Sequence, residues 1–215
     1  MNNVGINQSK TQEVNRSLVI RLLQKNGPCS RAELARLTQL TQATITNIVS
    51  ELIRSDLIEE IGLDNNSAMG RRSILLRIKG ESFYVIAIKI ARTSYTVGIF
   101  NLSGKKLEHE TVAVKDEVLP QDILLDIKTI ADGYHGRYSP ILGVGVAVPG
   151  PYLKNTGKIA MITEAKKWNN LNIPVSFSEL FEEPVFVEHD ANAGAMANWW
   201  FGDFPKDIKV ICHML

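Results

Sequence analysis

Residues 30–60 read SRAELARLTQLTQATITNIVSELIRSDLIEE, and this stretch decides the fold of the N-terminal part of the chain. Ser30, followed three residues later by Glu33, forms a capping-box pattern that predicts a short helix over residues 31–37. A polar turn follows, and a second helix is predicted to start at Thr41. Two short helices joined by a turn are typical of a helix-turn-helix, although the same spacing also fits an ordinary helical hairpin.

The second predicted helix has one apolar face and one polar face. The apolar side chains have the spacing of a single buried stripe, and they are Ile45, Ile48, Val49, Leu52 and Ile53. The outward face carries Ala43, Thr46, Asn47, Ser50 and Arg54. A slim, uncharged first turn suits the DNA major groove, where an amide can bond adenine twice and a methyl group can touch thymine. The candidate base-reading residues are Gln42, Ala43, Thr46 and Asn47.

A β-hairpin is predicted directly after this helix. Residues 57–61 and 71–78 are strand-like, and the turn-rich residues 64–70 separate them. Arg71 and Arg72 lie where the second strand begins, and they are predicted to contact the DNA backbone or to enter a minor groove. The alternative is that both arginines form a solvated pair on a surface hairpin.

The residues before this stretch add a third helix and complete the predicted N-terminal domain, or head. Residues 13–25 carry apolar side chains at helical spacing and stop at Asn26-Gly27-Pro28, which is a helix-termination signal. Residues 1–10 are polar, and we expect them to be mobile. The order of three helices and a hairpin is that of a winged helix, which we place at residues 1–79.

Composition places the chain among ordinary globular proteins. Of its 215 residues, 45% are hydrophobic and 22% are charged, which is enough for one or two cores. No run approaches the ~18 apolar residues of a membrane span, and no signal peptide is recognisable, so we expect a cytoplasmic protein without a membrane partner. Cys29 and Cys212 lie far apart, so neither a disulfide framework nor a zinc cluster is indicated.

The charge is distributed unevenly along the chain. Residues 1–80 hold 11 Lys and Arg against 7 Asp and Glu, a net charge of +4, whereas residues 81–215 hold 13 against 16, a net charge of −3. This pattern fits a DNA-reading head joined to a body that senses a small molecule. The excess in the head is small, so a winged helix that binds protein instead of DNA stays open.

The remaining residues predict an α/β domain with a mixed sheet and helices on its faces. A domain boundary is expected near Lys79-Gly80, where helical periodicity gives way to strand patterns. The order βββαβαβα comes from strands at 83–90, 94–100, 106–114, 141–148 and 184–187 and helices at 120–131, 175–181 and 191–201. The continuous apolar run ILGVGVAV at residues 141–148 is typical of a buried central strand.

Polar or flexible residues follow two of these strands, at the end where α/β sheets bind ligands. Pro149-Gly150-Pro151 follows one strand, and Glu188-His189-Asp190 ends the next. Asp190 stands at a strand end and at a helix N-terminus, where the helix dipole favours its ionised form. Its carboxylate could accept hydrogen bonds from a sugar hydroxyl or act as a base toward it, or it could only cap its helix.

Together these features resemble the ROK family of bacterial sugar-responsive repressors and sugar kinases. The resemblance rests on the winged helix with Gly70-Arg71-Arg72, the Pro-Gly-Pro turn, Trp168-Asn169-Asn170, and EHDANAGAMANWWFG at residues 188–202. It implies an actin/hexokinase-like (RNase H-like) first lobe and a sugar or sugar phosphate held between two lobes. The implied ligand-binding residues are Gly150, Asn169, His189 and Asp190.

Three departures from the family pattern favour a repressor over a kinase. Kinases of the family open with an Asp-x-Gly-Gly-Thr phosphate loop, whereas Lys89-Ile90-Ala91-Arg92-Thr93 stands here and lacks both the metal-binding carboxylate and the glycines. His189 stands where the family usually has Asn, which changes the geometry of the donor and acceptor. The sequence stops where the family begins its second lobe, so we interpret residues 80–215 as the first lobe alone, from a fragment or from a truncated product.

The residues and the resemblance together predict a DNA-binding transcriptional repressor of carbohydrate-metabolism genes. Operator DNA and a sugar or sugar phosphate are the expected partners, and the full-length protein is expected to be a homo-oligomer. No catalytic residue, cofactor or metal is expected. The alternatives are a ROK sugar kinase with a regulatory head and a truncated remnant that binds DNA without sugar control.

Overall fold

The computed structural model describes residues 8–63, 73–115, 117–159, 168 and 171–202. The chain divides into two compact units, Met1–Gly80 and Glu81–Leu215, which we call the head and the body. None of the described helices is long and apolar enough to cross a membrane.

The head contains three helices and a three-stranded sheet. Its elements are α1 (Gln8–Asn26), β1 (Cys29–Ser30), α2 (Arg31–Thr38), α3 (Gln42–Arg54), β2 (Ile58–Leu63) and β3 (Ile74–Ile78). The strand order is β1-β3-β2, and β3 pairs antiparallel with both neighbours. The predicted order of three helices and a hairpin is therefore confirmed, and the sheet gains one short strand, β1, that the sequence does not predict.

The start of α1 differs from the prediction. The helix begins at Gln8, five residues before residue 13. These residues carry no apolar stripe that would mark them as helical, and the helix extends through them because nothing in the sequence stops it.

Side-chain caps define the N-terminal ends of α2 and α3. Ser30 Oγ accepts a hydrogen bond from the backbone N–H of Glu33, and Thr41 Oγ1 accepts one from the backbone N–H of Thr44, both at 3.2 Å. Each cap satisfies one of the backbone donors that a helix leaves unpaired in its first turn. Between the two helices Gln39 adopts the left-handed conformation, with φ of 59°, and reverses the chain.

The apolar stripe of α3 forms the centre of the head's core. Ile45, Ile48, Val49 and Leu52 are buried, and Ile53 is half-buried against them. The other buried members of this core include Val19 and Leu23 of α1, Leu34 of α2 and Leu76 of β3. Burial of each such side chain stabilises the fold by about 1.5–3 kcal/mol. The core therefore fixes which face of α3 remains outside.

The body is an α/β unit. Its elements are β4 (Tyr84–Ile90), β5 (Ser94–Asn101), β6 (Lys106–Ala113), α4 (Pro120–His135), β7 (Ile141–Val148), β8 (Tyr152–Leu153), β9 (Lys158–Ile159), α5 (Ile173–Ser178), β10 (Val185–His189) and α6 (Asp190–Phe201). The order βββαβαβα is confirmed, with β8 and β9 added as a small hairpin after β7. In comparison with the prediction, α4 continues to His135 and α5 starts two residues earlier.

The main sheet is mixed, as the sequence predicts. Its strand order is β10-β7-β4-β5-β6, in which β10, β7 and β4 are parallel and β5 and β6 run antiparallel to their neighbours. The core beside it contains Ile86 and Ile88 of β4, Val144, Val146 and Val148 of β7, Ile127 of α4 and Phe177 of α5. Because β7 and β10 are parallel neighbours, with Val148 opposite His189, their carboxyl ends meet at one edge of the sheet.

Candidate DNA-reading face and sugar site

The polar face of α3 is exposed at the N-terminal end of the helix. Gln42, Ala43, Thr46 and Asn47 are all exposed, in the first two turns after the Thr41 cap. Within the described residues, neither Gln42 nor Asn47 uses its side-chain amide in a hydrogen bond. Both carboxamides can therefore bond an external partner.

Thr46 differs from its neighbours in how its polar group is used. Its Oγ1 donates a hydrogen bond to the backbone carbonyl of Gln42, one turn earlier in the same helix, at 2.8 Å. The hydroxyl proton is consequently engaged inside the helix, while the side chain as a whole remains exposed.

Several cations of the head are held in ion pairs. Arg31 Nη2 lies 2.7 Å from Glu60 Oε1, Arg77 Nε lies 2.7 Å from Glu59 Oε1, and Lys79 Nζ lies 2.6 Å from Asp56 Oδ1. These pairs are partly exposed, so each contributes little stability, but each offsets one positive charge.

Two further observations bear on the charge available for DNA. Arg54, the last residue of α3, makes no ion pair within the part of the chain that the structure describes. Arg71 and Arg72 lie outside the described residues, so the proposed role of the hairpin arginines stays a prediction.

In the body, three of the four predicted ligand-binding residues come together at the shared edge of β7 and β10. A Cβ atom added to Gly150 would lie 1.9 Å from Nε2 of His189, so the imidazole ring rests directly on the glycine backbone. The same Nε2 lies 3.2 Å from Oδ1 of Asp190. The fourth residue, Asn169, lies outside the described residues, whereas its neighbour Trp168 is buried in the core of the body.

Asp190 is the first residue of α6 and does not occupy the capping position. The capping position belongs to His189, whose side chain makes no capping bond. Asp190 Oδ1 accepts a hydrogen bond from the backbone N–H of Ala191 at 2.8 Å. Its second oxygen, Oδ2, makes no hydrogen bond to any described residue, so it can accept one from a ligand.

Glu188 holds the surroundings of this site in place, and the sequence does not predict this role. Its Oε1 accepts hydrogen bonds from the backbone N–H of His189 at 3.0 Å and from Asn192 Nδ2 at 3.1 Å, and its Oε2 accepts one from Lys154 Nζ. Partial burial works to raise the pKa of Glu188, but these hydrogen bonds outweigh it and leave the pKa below its ordinary value. Glu188 thereby ties the turn between β8 and β9 to the first turn of α6.

A cavity of about 470 Å³ lies elsewhere in the body, along α4 and the segment after α5. It is lined by Lys128, Asp132, His135, Glu179, Leu180, Phe181, Glu182 and Glu183. None of the predicted ligand-binding residues contributes to it. Among the described residues no group of three or more His, Cys, Asp or Glu side chains is placed to hold a metal ion.

Comparison with known proteins identifies both units. Residues 85–215 match the model of the ROK family, and residues 15–59 match a family described as winged helix-turn-helix DNA-binding. The chain is 31% identical to the xylose repressor of Bacillus spizizenii over 212 residues, which are 95% of this chain and 53% of that protein. It is 29% identical to the DNA-binding transcriptional dual regulator NagC of Escherichia coli over 213 residues, which are 96% of this chain and 52% of that protein.

A solved structure shares the fold. It is that of a ROK family transcriptional regulator described as a homolog of the E. coli MLC protein, with a TM-score of 0.71, 24% identity, and coverage of 89% of this chain and 49% of that one. The chain thus spans about half the length of the relatives that it matches. The predicted fold class, an N-terminal winged helix followed by an α/β lobe, is confirmed. Because the ROK family model matches residues 85–215, more than half of the chain, the chain belongs to the ROK family.

Proposed function

We propose that the protein is a DNA-binding transcriptional repressor of carbohydrate-metabolism genes, and that a sugar or sugar phosphate bound in the body controls its operator affinity. The observation that carries the proposal is the exposed, uncharged face at the start of α3 in a winged helix. The relatives support the carbohydrate part, because they include proteins named xylose repressor and N-acetylglucosamine repressor. Xylose and N-acetylglucosamine are therefore the first sugars to try.

On the DNA side, the free carboxamides of Gln42 and Asn47 would each bond an adenine in the major groove. We propose that the exposed Arg54 contacts a phosphate, and we assign a phosphate or minor-groove role to Arg71 and Arg72. Helix-turn-helix proteins that act as dimers bind two half-sites, and we expect a homo-oligomer of this kind in the full-length protein and a roughly palindromic operator. Such a repressor acts in the cytoplasm.

On the sugar side, Oδ2 of Asp190 would accept a hydrogen bond from a sugar hydroxyl, and His189 and Asn169 would contact the same ligand. Gly150 contributes by having no side chain, because the His189 ring occupies that space. Sugar binding would change the relative placement of two heads in a dimer, so that both half-sites can no longer be engaged together.

The residue types at the end of β4 argue against phosphoryl transfer. The family's kinases have a carboxylate at the position of Lys89, where it helps to place the metal and nucleotide, and here an exposed ammonium group stands instead. We therefore propose that the protein is not an enzyme and needs no cofactor. The competing function, a sugar kinase with a regulatory head, predicts sugar-dependent ATP hydrolysis in a coupled assay.

The DNA-binding proposal is tested by mobility shift with a duplex that the protein itself selects from a randomised pool. Asn47→Ala should lose about 1–3 kcal/mol of discrimination at one base pair of each half-site. Gln12→Ala removes an exposed carboxamide of α1 and should leave binding unchanged. Arg72→Ala should weaken binding to all sequences alike and lower its salt dependence. Wild-type binding by both Asn47→Ala and Arg72→Ala would overturn this placement.

A further inference from the structure

The four exposed residues at the start of α3 are not equivalent as base readers, and Thr46 is the one whose chemistry the structure restricts. A threonine hydroxyl has one proton and can donate one hydrogen bond. Since a backbone carbonyl can only accept, the 2.8 Å bond between Thr46 Oγ1 and the carbonyl oxygen of Gln42 uses that proton. Thr46 therefore has no donor left to offer to DNA.

This restriction removes several of the contacts that threonine could otherwise make in the major groove. Guanine presents two acceptors there, N7 and O6, and thymine presents the acceptor O4, none of which can bond a group without a proton to donate. The hydrogen bond also holds Oγ1 against the helix backbone. Oγ1 can still accept a hydrogen bond, from the N6 amino group of adenine or the N4 amino group of cytosine, but it is held at the backbone. The γ-methyl group of this exposed side chain stays free to make contact.

The surroundings of Thr46 favour an apolar contact. Ala43 lies three residues earlier, so its methyl group is a neighbour on the same helix face. No charged side chain stands among residues 42–47, which read QATITN, so nothing in the first two turns is suited to a bidentate bond with guanine. The C5-methyl group of thymine is the one apolar feature of the major-groove edge.

We propose that Thr46 reads thymine through its γ-methyl group, which packs against the C5-methyl of that base, and that its hydroxyl makes no base contact. The inference rests on the proposed function, because it assigns a base to one position of the same DNA-reading face. It makes Thr46 a specificity-determining residue for a thymine in each half-site.

The experiment removes one methyl group from the DNA and one from the protein. The probe is a duplex that the wild-type chain enriches from a randomised pool, in which each thymine is replaced in turn by deoxyuridine. Loss of one buried methyl group should weaken wild-type binding about fourfold at the thymine that Thr46 touches.

Two variants separate the methyl group from the hydroxyl. Thr46→Ser keeps the hydroxyl and its bond to Gln42 but lacks the methyl group. Its affinity should therefore be the same for the duplex with thymine and the duplex with uracil at that position. Thr46→Val keeps a methyl group but lacks the hydroxyl, so it should retain the fourfold preference for thymine. Thr46 is exposed, so both variants leave the buried core of the head unchanged.

Three results would overturn the inference, and they can be told apart. If Thr46→Ser keeps the wild-type sensitivity to uracil at every thymine, the methyl contact does not exist. If Thr46→Val loses base preference at a position where Thr46→Ser keeps it, the hydroxyl reads the base. If no duplex is enriched from the pool, the proposed DNA-binding function itself fails and this inference fails with it.

Discussion

The contact between Gly150 and His189 yields a sharp prediction about the candidate sugar site. In Gly150→Ala, the new Cβ would start 1.9 Å from Nε2 of His189 and 2.7 Å from Cδ2 and Cε1. Contacts of a Cβ below 3.0 Å essentially never occur in proteins, so Nε2 must move by at least 1.1 Å, the difference between 3.0 and 1.9 Å. The obstacle is a side-chain ring, so we expect the ring to swing away while the strand stays in place.

The displaced ring can no longer hold Asp190. The 3.2 Å contact between His189 Nε2 and Asp190 Oδ1 would be broken, and the carboxylate would keep only the hydrogen bond from the backbone N–H of Ala191 to orient it beside the site. A hydrogen bond from a ligand to a charged carboxylate is worth about 1.5–3 kcal/mol, so a carboxylate that loses its orientation should bind a ligand about tenfold more weakly. The stability of the body should change little, because the change lies at the edge of the sheet.

The matched control is Gly145→Ala, on β7, the strand that precedes Gly150. A Cβ added to Gly145 meets no atom within 4 Å, so the same substitution can be made there without displacing anything. Calorimetric titration with a panel of hexoses, pentoses and their phosphates measures the affinities. Independently of any ligand, the imidazole NMR signals of His189 should move in Gly150→Ala and stay in place in Gly145→Ala.

Two results would refute this reasoning. Unchanged His189 signals in Gly150→Ala would mean that the ring does not rest on the glycine. Equal loss of sugar affinity in both variants would mean that β7 tolerates no added methyl group and that the loss has nothing to do with His189.

Two further predictions concern stability. Thr41→Ala removes the cap of α3 and should lower the free energy of unfolding of the head by about 1 kcal/mol, whereas Thr41→Ser should retain most of it; equal urea denaturation curves for the wild type and Thr41→Ala would contradict this role. Because the pKa of Glu188 lies below its ordinary value of 4.5, its ionised form stabilises the body above that pH, and the stabilisation is lost as the pH falls through the lowered folded-state pKa. Glu188→Gln should therefore melt at a lower temperature than the wild type near neutral pH and approach it in acid; a gap in melting temperature that does not change with pH would count against this.

Local signals in the sequence were sufficient for most of the fold. The Ser30 capping box, the stripe from Ile45 to Leu52 and the apolar run of β7 each act within a few residues of the chain, so their patterns are visible without a structure. By contrast, β1 consists of two residues that pair with Leu75 and Leu76, more than forty positions away. A two-residue strand shows no alternation, so only the tertiary structure defines it.

In the candidate sugar site, too, the local features were predictable from the sequence and the long-range contacts were not. The sequence predicted that residues 149–151 and 188–190 lie at the ends of two strands, but it did not predict that they are in contact. Their contact depends on the parallel register that sets Val148 opposite His189. The hydrogen bond from Lys154 to Glu188 joins two segments 34 residues apart, and no local sequence pattern predicts it.

The central claim is that DNA lies against the polar face at the start of α3, and NMR mapping of the bound surface tests it most directly. Backbone amide signals of the whole chain would be recorded while the selected duplex is added. We predict that residues 42–47 show the largest changes, with smaller changes at Arg54 and in the hairpin. If those residues keep their signals while another surface responds, the DNA-reading role assigned to α3 is wrong.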